Sequence, residues 1–243
     1  MELLRNVLGM FVRAIYDGLQ GAFAEPSSVS FFAISIVLAT LILKLVMLPL
    51  SFSQIKNQKK MAILQPEIEK LKQKYKHDPQ TLAQKQQQLY KDSNYSMLGG
   101  CLPMIFTLVV LIAFYRVFMY PAQYIFKEAG MYDSIQKNFF YISNIDNPDP
   151  SVILPFLAGL STFLSSYLAQ KANESQGMDQ GKSMMNTMML VMPVMIFMMG
   201  RRFAAALVIY WIVSNLFQVL QQQITNMVIK KTEEDKDVPD KDS

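Results

Sequence analysis

Histidine, cysteine and tryptophan each occur once in this chain, and only 17% of its residues are charged, against about 25% in an average soluble domain. Each scarcity excludes something. A single cysteine, Cys101, set in an apolar run, rules out an intramolecular disulfide framework and any multi-cysteine metal site. The single histidine, His77, sits in a polar Lys-His-Asp-Pro turn and reads as a solvated loop residue. No serine therefore has a histidine base beside it, and neither a Gly-x-Ser-x-Gly elbow nor a phosphate-binding loop occurs. No catalytic constellation, metal or cofactor is expected; the chain reads as something other than an enzyme.

The missing charge is unevenly distributed. Of the 243 residues 51% are hydrophobic and the mean hydropathy is +0.19, yet long stretches nearly free of charge alternate with stretches dense in Lys and Gln. Lipid-buried segments alternating with water-exposed ones produce that segregation. The net charge of +4 then reads as cytoplasmic-loop lysine rather than as a nucleic-acid surface, and no direct nucleic-acid recognition is expected.

The fold class expected is an all-α integral membrane protein: a five-transmembrane-helix bundle, an N-terminal interfacial amphipathic helix and a cytoplasmic two-helix hairpin. Five apolar runs carry it, at 29–50, 98–119, 152–169, 184–200 and 203–220, against the roughly 20 residues a span requires. Residues 1–25 lack the solid apolar run of a cleavable signal. Leu4, Leu8, Phe11, Ile15 and Leu19 instead form one face and Arg5, Arg13, Asp17 and Gln20 the other, as in a helix lying in the headgroup plane.

Orientation follows from lysine. Nine lie in 51–97 and two in the 120–151 loop, so the first loop is assigned to the cytoplasm. Met1 and the 120–151 loop then lie outside, the 170–183 loop and the 221–243 tail inside, with the end of that tail disordered. Arg201 and Arg202, between the last two runs, fall outside and count against this assignment. Within 51–97 the spacing of Leu64, Ile68 and Leu71, a kinking Pro66, and Asp78-Pro79 as cap and first helical residue predict an antiparallel hairpin with a narrow apolar seam.

Polar residues at span depth are the candidate site. Lys44, six residues from the inner end of the first run, is the sharpest: a lysine at a helix centre costs about 2.5–3.5 kcal/mol on insertion scales. The ordinary alternative is that it snorkels to the interface. Thr40 lies one turn away on the same face. The third run adds Thr162, Ser165 and Ser166, and the fifth adds Trp211, Asn215, Gln218 and Gln222 at helical spacing. Taken singly these could be interhelical hydrogen bonds; together with one cation they point to a shared wet cavity. Eight methionines between Met184 and Met199 give the fourth run either an adaptable or a plain lipid-facing surface.

Several short motifs occur in order around these runs: Leu48-Pro49-Leu50, Leu64-Gln65-Pro66-Glu67, Leu98-Gly99-Gly100-Cys101-Leu102-Pro103, Leu154-Pro155 and Tyr210-Trp211-Ile212-Val213-Ser214-Asn215-Leu216. In content and spacing the chain resembles the YidC/Oxa/Alb insertase family over residues 1–223. The resemblance implies five helices around a hydrophilic, positively charged groove open to cytoplasm and lipid. Lys44 stands where the family usually has arginine, with Thr40, Tyr210 and Trp211 at other groove or substrate-contact positions. Ser166 replaces a frequent glutamine, Gly200-Arg201-Arg202-Phe203 replaces the usual turn, the tail is not of the polybasic type, and no lipoprotein signal is expected.

The implied activity is insertion and folding of client membrane proteins, without nucleotide hydrolysis. The implied partners are nascent clients, the ribosome, the Sec translocon or signal-recognition components, and membrane lipid, in a bacterial plasma membrane. A small multi-pass transporter or channel is the alternative; it predicts paired intramembrane charges or inverted repeats, and neither is seen.

Overall fold

A computed structural model of the protein describes residues 1–95, 97–174 and 182–234. Its described elements are helices α1 (Glu2–Ala22), α2 (Phe31–Val46), α3 (Leu48–Lys74), α4 (Pro79–Asp92), α5 (Met97–Met119), α8 (Ile153–Glu174), α9 (Lys182–Gly200) and α10 (Ala205–Glu234), with single turns α6 (Pro121–Tyr124) and α7 (Met131–Ser134). The extended pairing among the described residues is two isolated bridges, Val29 with Phe139 and Phe139 with Ile142. The chain is all-α.

α2 starts where Ser30 accepts from the Ala33 N–H at 3.2 Å and the Glu25 carboxylate from the Phe31 N–H at 2.7 Å, two of the donors a helix start leaves open. It stops at Met47 because Pro49 has no N–H to offer the carbonyl four residues back. The first apolar run is therefore two helices, Phe31–Val46 and the beginning of α3 (Leu48–Asn57), meeting at 58°. Pro66, expected to kink the next helix, lies inside α3. Asp78 caps α4 as expected, accepting from the Thr81 N–H at 3.0 Å, and Lys60 Nζ reaches the Asn94 carbonyl at 3.4 Å as the chain returns. α10 runs on through Glu234, so Thr232–Glu234, placed in a disordered tail by composition, are helical.

Over the described residues, Ala205–Thr225 is long and apolar enough to cross a membrane alone, and the bent α2–α3 pair passes when counted together. Leu108–Met119, Ile153–Ala169 and Met189–Gly200 are shorter apolar helices.

The core lies where α2, α5 and α10 meet beneath α1 and the 120–149 segment. Val12, Phe32, Ile36, Phe114, Val117 and Ile145 are fully enclosed there. Tyr16 and Phe32 meet Phe126 edge-on at 5.0 and 5.5 Å, and Tyr132 stacks on the same ring at 5.6 Å. α1 thus differs from a helix resting in lipid by its apolar face alone. Leu8, Val12 and Tyr16 pack on protein, while Leu3, Val7 and Met10 are left exposed. Gly9 permits this contact, since a Cβ there would lie 2.1 Å from the Tyr124 carbonyl oxygen. Arg13, bonded to Asp17 at 2.8 Å and Glu128 at 2.7 Å, ties α1 to the segment after α6.

Opposite this enclosed half, apolar side chains face outward in numbers unusual for a water-soluble surface. Phe156, Leu160, Leu190, Val194, Met198, Leu216 and Leu220 are each exposed by half or more.

Candidate functional site

Thr40 and Lys44 are four residues apart on α2 and share a face. Thr40 is enclosed, and its hydroxyl donates to the Ile36 carbonyl at 2.7 Å, so its hydrogen bond is spent on its own helix. Lys44, in the last turn of α2, is half-buried. The two line a small cavity with Leu43 and Met47 of α2, Val110 of α5 and Tyr210 of α10. Tyr210 is buried, its ring 5.0 Å from Phe114 and 6.2 Å from Phe118, and its hydroxyl shares a hydrogen bond with Ser214. Lys44 makes no ion pair with any described residue. Its position near the negative end of the helix dipole offsets part of the cost of holding the charge there.

Trp211 follows Tyr210 by one residue and so turns about 100° from it. It faces α8, where its indole Nε1 donates to the Thr162 hydroxyl at 3.1 Å. Thr162 and Ser161 donate in turn to the Ala158 carbonyl, at 2.7 and 3.0 Å. Asn215, one turn along α10, closes the set with Thr162 at 2.8 Å and Ser161 at 3.2 Å. Those two are donations from its amide nitrogen; turned over, the amide instead presents its oxygen, which accepts from the Trp211 N–H at 3.1 Å and from the two hydroxyls in place of their Ala158 bonds.

Two groups therefore emerge. Thr40, Lys44 and Tyr210 surround one cavity; Trp211 and Asn215 belong to a seam joining α8 and α10. Ser166 is half-buried one turn beyond Thr162, and Gln218 is exposed on α10. Ser161, Met47 and Val110 were not singled out from the sequence. Ser161 stands beside Thr162 and could have been; nothing local marks Met47 or Val110. Among the described residues no cluster of three His, Cys, Asp or Glu could hold a metal ion.

A recess with one unpaired cation, walled by Leu, Met, Val and Tyr, can attract and briefly hold an anionic or hydrogen-bonding group.

The 60Kd inner membrane protein family matches residues 24–233. A protein of Clostridium perfringens named membrane protein insertase YidC is 38% identical over 191 residues, covering 78% of this chain and 76% of that protein. One of that name from Clostridium tetani is 32% identical over 237 residues, 98% of this chain and the whole of the other. Membrane protein insertase MisCA of Bacillus subtilis is 34% identical over 194 residues, 78% of this chain and 68% of its own. The match spans both the Lys44 recess and the α8–α10 seam, and the chain belongs to the 60Kd inner membrane protein family, a bacterial plasma-membrane family that includes the YidC and MisCA insertases.

Proposed function

We propose that the chain is a membrane protein insertase and not an enzyme. The Lys44 recess receives the hydrophilic, outward-going part of a client, and the client's apolar part leaves for lipid along α8 and α10. The observation that carries this reading is an unpaired Lys44 in a recess between α2, α5 and α10, with exposed Leu160, Leu216 and Leu220 on the flanking helices. The names of the relatives support it.

The work is energetic. A polar segment entering hydrocarbon loses its hydrogen-bond partners, at several kcal/mol per unsatisfied group. A wet, positively charged groove open to cytoplasm and lipid shortens that barrier, and no nucleotide is consumed. The enclosed layer of Phe32, Phe114, Val117 and Phe126 on the α1 side seals the groove from the outside.

In this reading α2 with the first turns of α3, then α5, α8, α9 and α10 make five spans, with Met1 outside and Ser243 inside. Residues 51–97 form a cytoplasmic arm that recruits ribosome, targeting or Sec components, and α1 lies at the outer interface. Complementation tests the whole: expressed in a bacterium depleted of its own insertase, the chain should restore growth and client insertion. Proper membrane localisation without either would overturn the reading.

A further inference from the structure

We infer that the groove between α8 and α9 is a binding site for an anionic phospholipid of the outer leaflet, its acyl chain between the helices and its phosphate on Arg201 and Arg202. The inference rests on the proposed reading of α8 and α9 as spans.

Phe156, Leu160 and Phe163 of α8 face Leu190, Val194 and Phe197 of α9 across a groove of about 390 Å³ lined by apolar side chains. That is ligand-sized, within the roughly 300–1,000 Å³ usual for small-molecule sites. α8 and α9 close beneath it where Gly159 meets Pro193: a Cβ at Gly159 would stand 3.0 Å from the Pro193 carbonyl oxygen. Such a cleft in hydrocarbon is filled by whatever apolar chain is present.

The charge at its end selects which. The Arg201 N–H donates to the Phe197 carbonyl at 3.3 Å, continuing the helical turn, so Arg201 stands one turn above Phe197 on the groove stripe. At about 1.5 Å per residue, the groove runs from ~6 to ~16 Å below Arg201. One leaflet's hydrocarbon, half of about 30 Å, is ~15 Å deep. An acyl chain anchored at the arginines would reach the groove's inner end at Leu190.

Arg201 and Arg202 are exposed and make no ion pair with any described residue. The acids of the loop whose Ile145 and Asn147 carbonyls accept from the first N–H groups of α10 are engaged elsewhere. Asp146 takes Lys137 and the Tyr132 hydroxyl, and Asp149 takes Tyr141, Ser151 and the Leu154 N–H. Two guanidinium forks without a protein carboxylate suit a phosphodiester, which they grip bidentately. This accounts for two arginines on the side that lysine placement otherwise leaves poor in cations. A client helix would fill the groove equally well but has no use for paired arginines at the headgroup level.

The test uses the full chain in phosphatidylcholine vesicles with spin-labelled phosphatidylglycerol or phosphatidylcholine, reading the motionally restricted lipid by electron paramagnetic resonance. The wild type should prefer phosphatidylglycerol. R201Q/R202Q should lower that preference on the order of fivefold or more, leaving only what the cytoplasmic lysines contribute. Val194→Trp, which fills the groove, should reduce the restricted fraction of both lipids. An unchanged preference in R201Q/R202Q, or an unchanged restricted fraction in Val194→Trp, overturns the inference. Client insertion is measured in the same vesicles. Wild-type insertion without lipid preference sinks this site alone; lipid preference without insertion sinks the insertase reading instead.

Discussion

Replacing Lys44 with leucine tests the recess most directly, because structural and functional roles predict opposite signs. From Phe31 to Lys44 is 13 residues, so at about 1.5 Å per residue the ammonium's Cα lies ~20 Å below the start of α2. In a core about 30 Å thick that leaves ~10 Å to the inner surface, short of the bilayer centre where a lysine costs most. The residual cost is then some fraction of about 2.5–3.5 kcal/mol. Removing the charge also removes its interaction with the helix end, about 0.3–1 kcal/mol. With no carboxylate left unpaired, Lys44→Leu should be neutral to stabilising by up to ~2 kcal/mol. Function should move the other way. A hydrogen bond from a charged group is worth about 1.5–3 kcal/mol, so insertion of clients with acidic outward segments should fall ~10-fold or more. Clients with neutral segments should lose far less, and Lys44→Arg should retain activity. Protease protection of inserted clients and thermal unfolding in detergent, on the same preparations, read both signs. Full activity of the leucine variant with acidic clients refutes the charged-recess mechanism. A large loss of stability would mean that Lys44 is structural.

Four further outcomes follow. Asp149 is buried; burial alone would push its carboxyl up, but the Leu154 N–H, Ser151 and Tyr141 bonds outweigh it and hold it below the ordinary carboxylate range. Its stabilisation is therefore complete above about pH 4 and lost as pH falls through the depressed value. Asp149→Ala should cost about 2–4 kcal/mol at pH 7 and flatten the acid limb of thermal unfolding; an unaltered limb would show that the carboxylate does not anchor the start of α8. Gly9→Ala should destabilise by about 1–3 kcal/mol as α1 is pushed from Tyr124, whereas Gly18→Ala, with open space around it inside α1, should be neutral to stabilising by up to about 1 kcal/mol; equal melting temperatures would mean the α1–α6 contact is absent in solution. Excising residues 61–92 with a short linker should leave a folded, membrane-inserted protein with impaired client insertion, because Lys60 already meets the carbonyl of Asn94; degradation of the shortened chain would make the arm structural. With Cys101 changed to serine, an impermeant maleimide on intact cells should label a cysteine at Asn138 and not one at Lys74; the reverse pattern inverts the topology.

Local chemistry was the legible part. Asp78 followed by Pro79 supplies both the cap and the first residue of α4, and a Lys in an apolar run is conspicuous at any depth. Pro49 shows why boundaries are harder. Hydropathy runs smoothly through Leu48 and Leu50, so the first run looks continuous, while the break depends on one missing N–H. Pro66 shows the converse, a helix-breaker carried inside a helix. The partition of the polar residues could not be read from spacing. Tyr210 and Trp211 are neighbours in sequence, but α10 sends one toward α2 and α5 and the other toward α8. Thr40 and Thr162 both advertise polarity at depth, yet each gives its proton to a carbonyl of its own helix. Asp149 was invisible because its partners Tyr141 and Leu154 converge only once the loop has closed. The aromatic group of Tyr16, Phe32, Phe126 and Tyr132 draws on segments about a hundred residues apart, which no local pattern records.

The break at Met47 sets the direction of α3. α3 has 27 residues and so reaches about 40 Å from the residue that ends α2 at ~1.5 Å per residue. At that length a change of about 10° in the 58° elbow would sweep its far end through roughly 7 Å. Met47 is also one wall of the Lys44 recess. In the proposed reading, a side chain entering the recess would touch the residue that turns the chain from α2 into α3, so occupancy of the recess and the setting of the elbow would share one contact.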